Sequence, residues 1–426
     1  MRPFTGRCSE FLAVAGFCAV AFSLLVACSN ERPGSDGDDV QRFLAGHWSD
    51  PIPPQGTPPT QFSELEASLD PAACGRCHVA QYADWRDSLH SHAMGPGIFW
   101  QFGVLGQEES NRCLRCHAPL AEQKALLAKG QGWRNAPQSA PPAYVTADLH
   151  RQGLVCAACH VRRHQRFGPP PGAAPADAPA VTPHGGFVMS TAFEDSRFCA
   201  TCHQFPPQGR GLNGKLLEDT YEEWRASRAA REGRTCQKCH MPGRRHLWRG
   251  IHDPATLRSS LVRRLEVVRL SQDRARVTAT FVNEGAGHFL PTYVVPKIFI
   301  TLALVAGNGA QREIARRTIG RTADEALTRE LEDTRIAPDG KFVVETELEL
   351  PAGVSSVEML VEVAPGEHYE RMFQAMLGRR DLKLDAVGRG LLQDALHSAR
   401  AKRYRLDRLV VTVPERLGTT ARRVAN

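Results

Sequence analysis

Past residue 255 the chain alternates apolar and polar residues in short runs, at 274–283, 295–305, 341–350 and 355–363. A period of two marks a strand with one buried face, so these runs predict an antiparallel sandwich of roughly 150 residues. A helical segment over 384–402 and a last strand at 404–413 complete it, and residues 415–426 read as a frayed basic tail. Before residue 255 the alternation is missing. Two similar stretches occur there instead, Gln81-Tyr82-Ala83-Asp84-Trp85-Arg86-Asp87-Ser88 and Thr220-Tyr221-Glu222-Glu223-Trp224-Arg225-Ala226-Ser227. In each, Tyr and Trp three apart fall on one helical face. The Pro-rich run at 169–183 breaks any helix there and reads as a loop.

The first 61 residues have a different texture. Arg2 and Arg7 precede an uncharged apolar run at 11–27, which reads as a signal peptide over residues 1–27. It ends Leu25-Val26-Ala27-Cys28, which resembles a bacterial lipoprotein cleavage box and would leave Cys28 as the lipid-bearing first residue. An uncleaved anchor is the alternative, although about 17 apolar residues are only marginally long enough to span a bilayer. Stable anchoring needs more than one acyl chain, which such a modified terminus carries. Ser29 in place of an aspartate is compatible with sorting to an outer membrane. Residues 28–61, with Pro51, Pro53, Pro54, Pro58 and Pro59, read as a linker in which His47-Trp48 could dock back on the domain that follows.

Composition alone is ordinary: 426 residues, 42% hydrophobic, enough for two or three domains. The 13 cysteines change the picture, because ten of them form five copies of one pattern. The copies are Cys74-Gly-Arg-Cys77-His78, Cys113-Leu-Arg-Cys116-His117, Cys156-Ala-Ala-Cys159-His160, Cys199-Ala-Thr-Cys202-His203 and Cys236-Gln-Lys-Cys239-His240. The other three, Cys8, Cys18 and Cys28, lie in the leader, so no thiols remain for a disulfide framework. A thiol redox pair or half of a zinc site needs no His directly after the second Cys. All five copies have one. In C-x-x-C-H the thiols add across the two vinyl groups of a haem and the imidazole binds its iron. Five covalently bound haem c groups follow, with His78, His117, His160, His203 and His240 as proximal ligands.

The motifs begin 39, 43, 43 and 37 residues apart, a quasi-repeat too short to bury a core of its own. Flat porphyrins take the place of Leu and Phe clusters, and the Tyr/Trp stretches suit either a porphyrin edge or an ordinary apolar core. The net charge of +7 belongs to the apoprotein; about ten haem propionates would offset it, and it does not indicate nucleic acid. Haem attachment of this type is completed outside the cytoplasmic membrane, in agreement with an exporting leader.

A haem that only carries electrons needs a sixth ligand, whose type tunes its potential. Sixteen His leave eleven beyond the proximal five. His90 and His92 follow the first Tyr/Trp stretch, and at least one should be a ligand; the second stretch has Ala229 where the first has His90. His150 and His164 flank the third motif, His184 sits in a Pro-Gly loop, and one of His246 and His252 should serve after the last motif. His288 lies in the Gly-rich loop Gly285-Ala286-Gly287-His288-Phe289-Leu290-Pro291, from which a sheet can hold an imidazole outward. His368 and His397 are expected at the surface, and Met94 and Met241 are alternative sulfur ligands.

On Cys74 to His78 followed by Gln81, Trp85, Ser88 and His90, and on Cys236-Gln-Lys-Cys239-His240-Met241-Pro242, residues 70–254 resemble a multihaem family. It is the family of cytochromes related to the tetrahaem electron carrier of hydroxylamine oxidoreductase. The 285–291 loop resembles C-terminal domains attached to such cytochromes. The resemblance implies electron transfer through closely stacked haems with mostly His/His ligation, while five motifs, a lipid anchor and a β domain depart from the tetrahaem pattern.

The fold class expected is α+β multidomain: a mainly helical or irregular pentahaem domain at 62–254 packed around its haems, an all-β sandwich-like domain at 255–415 and a basic tail at 416–426. The function expected is electron carriage between redox partner proteins by a membrane-anchored, exported lipoprotein, periplasmic or at the cell surface. No catalytic residue stands out. The alternative is an oxidoreductase acting on a small nitrogen or sulfur compound at one haem with an open position; no C-x-x-C-K occurs to mark such a haem. A docking role for the β domain is compatible with either.

Overall fold

Alternation after residue 255 becomes two four-stranded antiparallel sheets packed face to face. The computed structural model describes residues 36–171 and 183–425. Strands β1 (Leu261–Arg269), β2 (Arg274–Asn283), β3 (Lys297–Ala306), β4 (Gln311–Ile319), β5 (Lys341–Glu349), β6 (Val354–Ala364), β7 (Tyr404–Thr412) and β8 (Thr420–Ala425) build it. One sheet runs β5-β2-β1-β8, the other β7-β6-β3-β4. Every second residue of β2, from Ala275 to Phe281, points into the core and meets Val357, Met359 and Val361 of β6. Each such fully buried aliphatic side chain contributes about 1.5–3 kcal/mol. The stretch expected to fray at 415–426 instead supplies β8, which pairs with β1 from Thr420↔Val268 to Ala425↔Arg263.

The region before residue 255 has no comparable core. Short helices α1 (Asp36–His47), α2 (Val79–Arg86), α3 (Pro96–Phe102), α4 (Gln107–His117) and α5 (Thr220–Arg225) are joined by turns and two-residue strands. Their apolar residues fall into several small clusters rather than one. Part of the expected linker is folded: α1 buries Val40 and Leu44 against Ala192 and Phe198. The leader and Cys28, together with most of the Pro-rich loop, lie outside the described residues. Among the described residues no helix is long and apolar enough to cross a membrane.

Two seams join the regions. Helices α6 (Glu367–Gly378) and α7 (Ala386–Ala401), inserted between β6 and β7, pack Phe373, Leu392 and Leu396 around Trp100 of α3. The fully buried Arg321 pairs with Glu330 and donates to the carbonyls of Leu212, Lys215 and Leu216, spending its guanidinium on the hairpin at 211–216. A buried arginine is tolerated only when its donors are satisfied in this way.

Candidate functional site

The five C-x-x-C-H copies sit on short helical turns whose thiols converge. Cys74 is within hydrogen-bond reach of Cys156, Cys116 of Cys202, and Cys199 of Cys236. Cys159 lies within electrostatic reach of Cys199 and Cys202. In space the motifs therefore run first, third, fourth, with the second and fifth both beside the fourth. Among the described residues no three His, Cys, Asp or Glu side chains converge as a metal-ion cage, so the thiols are not arranged as zinc sites.

Three of the five motif imidazoles face a second imidazole. Ring centroids are 6.1 Å apart for His160 and His246, 6.3 Å for His90 and His203, and 6.3 Å for His240 and His288. Two metal–nitrogen bonds of about 2 Å plus the ring radii require about 6 Å between centroids, so these pairs have the spacing of two imidazoles on one iron. Backbone carbonyls hold four of the six rings from behind, while Nδ1 of His90 is buried without a partner. Nδ1 of His160 donates to Phe167 (2.8 Å), of His246 to Arg244 (3.1 Å), of His240 to Arg249 (2.7 Å) and of His288 to Phe289 (2.8 Å). A bond at Nδ1 fixes the tautomer that leaves Nε2 as the ligating atom. Burial lowers His160 and His288 to about 4 and His90 to about 3, keeping the imidazoles in the neutral, ligating form. Thiol pairs, adjacent imidazoles and these opposed rings are the donor set a c-type haem requires.

The repeated Tyr/Trp stretches, α2 and α5, build two of these pairs. The Trp85 indole N–H donates to the Leu154 carbonyl and that of Trp224 to the Arg234 carbonyl, each at 2.8 Å and each two residues before a motif. The amides of the same two residues donate back, Leu154 to His90 (2.9 Å) and Arg234 to Ala229 (2.9 Å). Gly153 and Gly233, one residue earlier, have φ of +66° and +65°, the left-handed turn that a β-carbon disfavours. A glycine three residues before the first Cys was a legible signal that sequence reasoning missed. It also missed the acid directly ahead of each Trp. Asp84 accepts from Arg245 Nε (2.6 Å) and from the His246 amide (3.0 Å), and the Arg245 side chain holds its carboxyl below the usual range. Glu223 accepts from the Phe289 amide (3.0 Å), Thr292 Oγ1 (2.7 Å) and Arg335 (3.0 Å).

The loop carrying His288 fits because of what the turn after α5 lacks. A β-carbon on Gly287 would lie 2.7 Å from the Ala229 methyl and 3.1 Å from the Trp224 ring. Trp248 was not singled out in sequence, yet its ring meets His90 edge-on at 4.5 Å and His246 at 5.1 Å, and its amide donates to the His240 carbonyl. Its φ of +43° is strained for an aromatic residue.

The other expected ligands are scattered. His184 is held at Glu66: its amide donates to that carboxylate (2.7 Å), drawing it down to about 2, and its Nδ1 donates to the Gly186 carbonyl (2.9 Å). Arg166, within electrostatic reach of Cys74, contacts the Glu66 carbonyl. His164 uses Nε2 on the Gly56 carbonyl and packs edge-on against Tyr144, so its ligating atom is taken. His92 is exposed and bonded to the Ser88 carbonyl, His150 meets Phe99, and His252 lies beside Lys402; none of the three faces a motif imidazole. His47 is buried with Nε2 on the Cys159 carbonyl (2.8 Å), and His368, expected at the surface, is fully buried in α6 because its helix turns back into the seam. His397 is exposed, as expected.

Near the second motif the polar groups are of another kind. Tyr369 lies within electrostatic reach of Cys113, Glu218 of Cys116, and Tyr293 of both Tyr369 and Glu218. Burial pushes Glu218 up to about 8 and the Tyr369 hydroxyl to about 12, although 44% of the Tyr369 surface is accessible.

No family model matches the sequence, and no curated protein matches it. Among solved structures, a penta-heme cytochrome c552 from Thermochromatium tepidum superposes with a TM-score of 0.55 at 18% identity, covering 82% of this chain and 100% of that one. Residues 62–254 are less than half of the chain, so the likeness extends into the β region. The chain has the fold of that penta-heme cytochrome.

Proposed function

We propose that the protein is an exported pentahaem c-type cytochrome that carries electrons between redox partners outside the cytoplasmic membrane. The observation that carries this reading is the set of three imidazole pairs at iron-bridging distance, each joining a C-x-x-C-H histidine to a histidine elsewhere. His246 would complete the third haem, His90 the fourth and His288 the fifth. His184 is assigned to the first, because it is held by Glu66, whose carbonyl contacts the Arg166 that lies within electrostatic reach of Cys74. The bound haems supply reversible one-electron chemistry; the chain supplies their spacing, axial ligands and insulation from water. Electrons would pass first to third to fourth, with branches to the second and fifth. Membrane tethering through Cys28 and kinship with the carrier of hydroxylamine oxidoreductase belong to the same proposal, supported by the leader and by the motif residues.

A second reading is favoured at one place. Among the described residues no imidazole pairs with His117, whose Nδ1 donates to the Ala93 carbonyl, and Glu218, Tyr293 and Tyr369 have no side-chain hydrogen bond there. Hydroxyl and carboxyl donors beside a five-coordinate haem suit a small nitrogen oxide or oxyanion. Electron paramagnetic resonance of the oxidised protein, with mass measurement of bound haem, tests both. Five haems with four low-spin signals and one high-spin signal that responds to nitrite support an enzyme. Five low-spin haems leave the carrier alone, and fewer than five haems overturn the proposal.

A further inference from the structure

The two Tyr/Trp helices do the same three things. Each sends an indole N–H to the carbonyl two residues before a motif, and the amide of that residue is received by the carbonyl five residues after the Trp, just beyond the helix. With the acid ahead of the Trp, each also holds a backbone amide in a segment that carries a second imidazole. Helix α2 docks on the third motif, and Asp84 holds the amide of His246, which faces that motif's His160. Helix α5 docks on the fifth motif, and Glu223 holds the amide of Phe289, next to the His288 that faces His240. Both copies therefore grip the two sides of one and the same imidazole pair. The partner segments come from unrelated places, a strap after the last motif and a loop of the β domain, and the coincidence follows from neither.

Each acid also engages an arginine from the segment's side, Arg245 for Asp84 and Arg335 for Glu223. Glu223 and Arg335 are each only 6% exposed, so their charge-assisted bond is shielded from water, whereas Asp84 is buried beneath an Arg245 side chain that is 56% exposed. The strap needs holding, because Arg244 and Trp248 on either side of His246 both have positive φ. The 285–291 loop has two glycines and no strand pairing of its own up to the Leu290↔Ile336 bridge.

We propose that Asp84 and Glu223 are positioning residues for the distal ligands of the third and fifth haems, and that the Tyr-x-Asp/Glu-Trp helix is a repeated device for setting an axial imidazole opposite a C-x-x-C-H histidine. This rests on the ligand pairing proposed above. Each acid fixes the height and tilt of one imidazole through the adjoining backbone, so removing it loosens the ligand field at one iron and leaves the other four unchanged.

The test is electron paramagnetic resonance and redox titration of full-length Asp84→Asn, Asp84→Ala, Glu223→Gln and Glu223→Ala, each verified by mass to hold five haems. His246→Ala and His288→Ala identify the third- and fifth-haem signals by converting each to high spin. Asp84 variants should shift the g-values and midpoint of the third haem alone, and Glu223 variants those of the fifth alone, with Asp84→Glu restoring most of the native signal. Exposed neighbours changed as Asp87→Asn and Glu222→Gln should leave all five signals in place. Spectra of the Ala variants identical to the native protein, or a change spread equally over all haems, would overturn the proposal. Failure of His246→Ala and His288→Ala to produce high spin would instead sink the ligand pairing, and this proposal with it.

Discussion

Helices α2 and α5 are similar, but the turns that follow them differ where it matters most, at His90 and Ala229. Both positions give their backbone carbonyl to the residue two before a motif. Only the first also sends out an imidazole, which reaches His203 of the fourth motif. In the second copy the side chain stops at a methyl, and Gly287 packs directly on it. That contact brings in the β-domain loop and with it His288. The comparison teaches that the same docked stretch can send out an imidazole or make room for one. Both copies dock alike, while the second offers only a methyl, on which the loop carrying His288 packs.

The sharpest way to break this comparison is to remove the imidazoles. On the pairing proposed here, His90→Ala should turn the fourth haem high-spin and His288→Ala the fifth, each a complete conversion of one signal in the oxidised spectrum. The same haem responding to both would dissolve the distinction. Arg335→Met comes next. Its guanidinium and Glu223 form a buried pair, and leaving one charge alone costs about 3–5 kcal/mol, which denaturant unfolding would report as a lower midpoint. A smaller loss is expected for Gly287→Ala, where the new methyl meets Ala229 and an overpacked contact costs about 1–3 kcal/mol. It should broaden the fifth haem's signal and spare the fourth. The mildest changes, Trp85→Phe and Trp224→Phe, each remove one indole hydrogen bond worth about 1 kcal/mol. Equal losses in thermal unfolding would show that the two copies still dock alike; a clear inequality would show that they have diverged there as well.

Periodicity made five of the eight strands of the β domain legible, while β1, β4 and helix α6 went unread. The strand expected at 274–283 is β2 as observed, and those at 341–350 and 355–363 differ from β5 and β6 by one or two residues. A strand with one face on a core must alternate, and a cross-section of that core is written into the chain. The final strand β8 was missed because Arg422 and Arg423 on its exposed edge mask the pattern. Helix α1 was missed because prolines and glycines around it dominate the composition of 28–61. The motif histidines were legible from spacing alone. The ligands opposite them were only partly so: His90, His246 and His288 pair with motif histidines, but His164 was equally attractive in sequence and spends its Nε2 on a carbonyl.

What the sequence determined by itself is local: five thiol pairs with an adjoining imidazole, and strands that must bury alternate residues. Such features need only neighbours along the chain, so spacing and period express them completely. What tertiary structure decided is which distant groups meet, including the order of the motifs in space and the pairing of His160 with His246, His203 with His90 and His240 with His288. Those meetings depend on one methyl at Ala229, two acids ahead of tryptophans and an absent side chain at Gly287. Each is an unremarkable residue in sequence, and acquires its role from the surface folded against it.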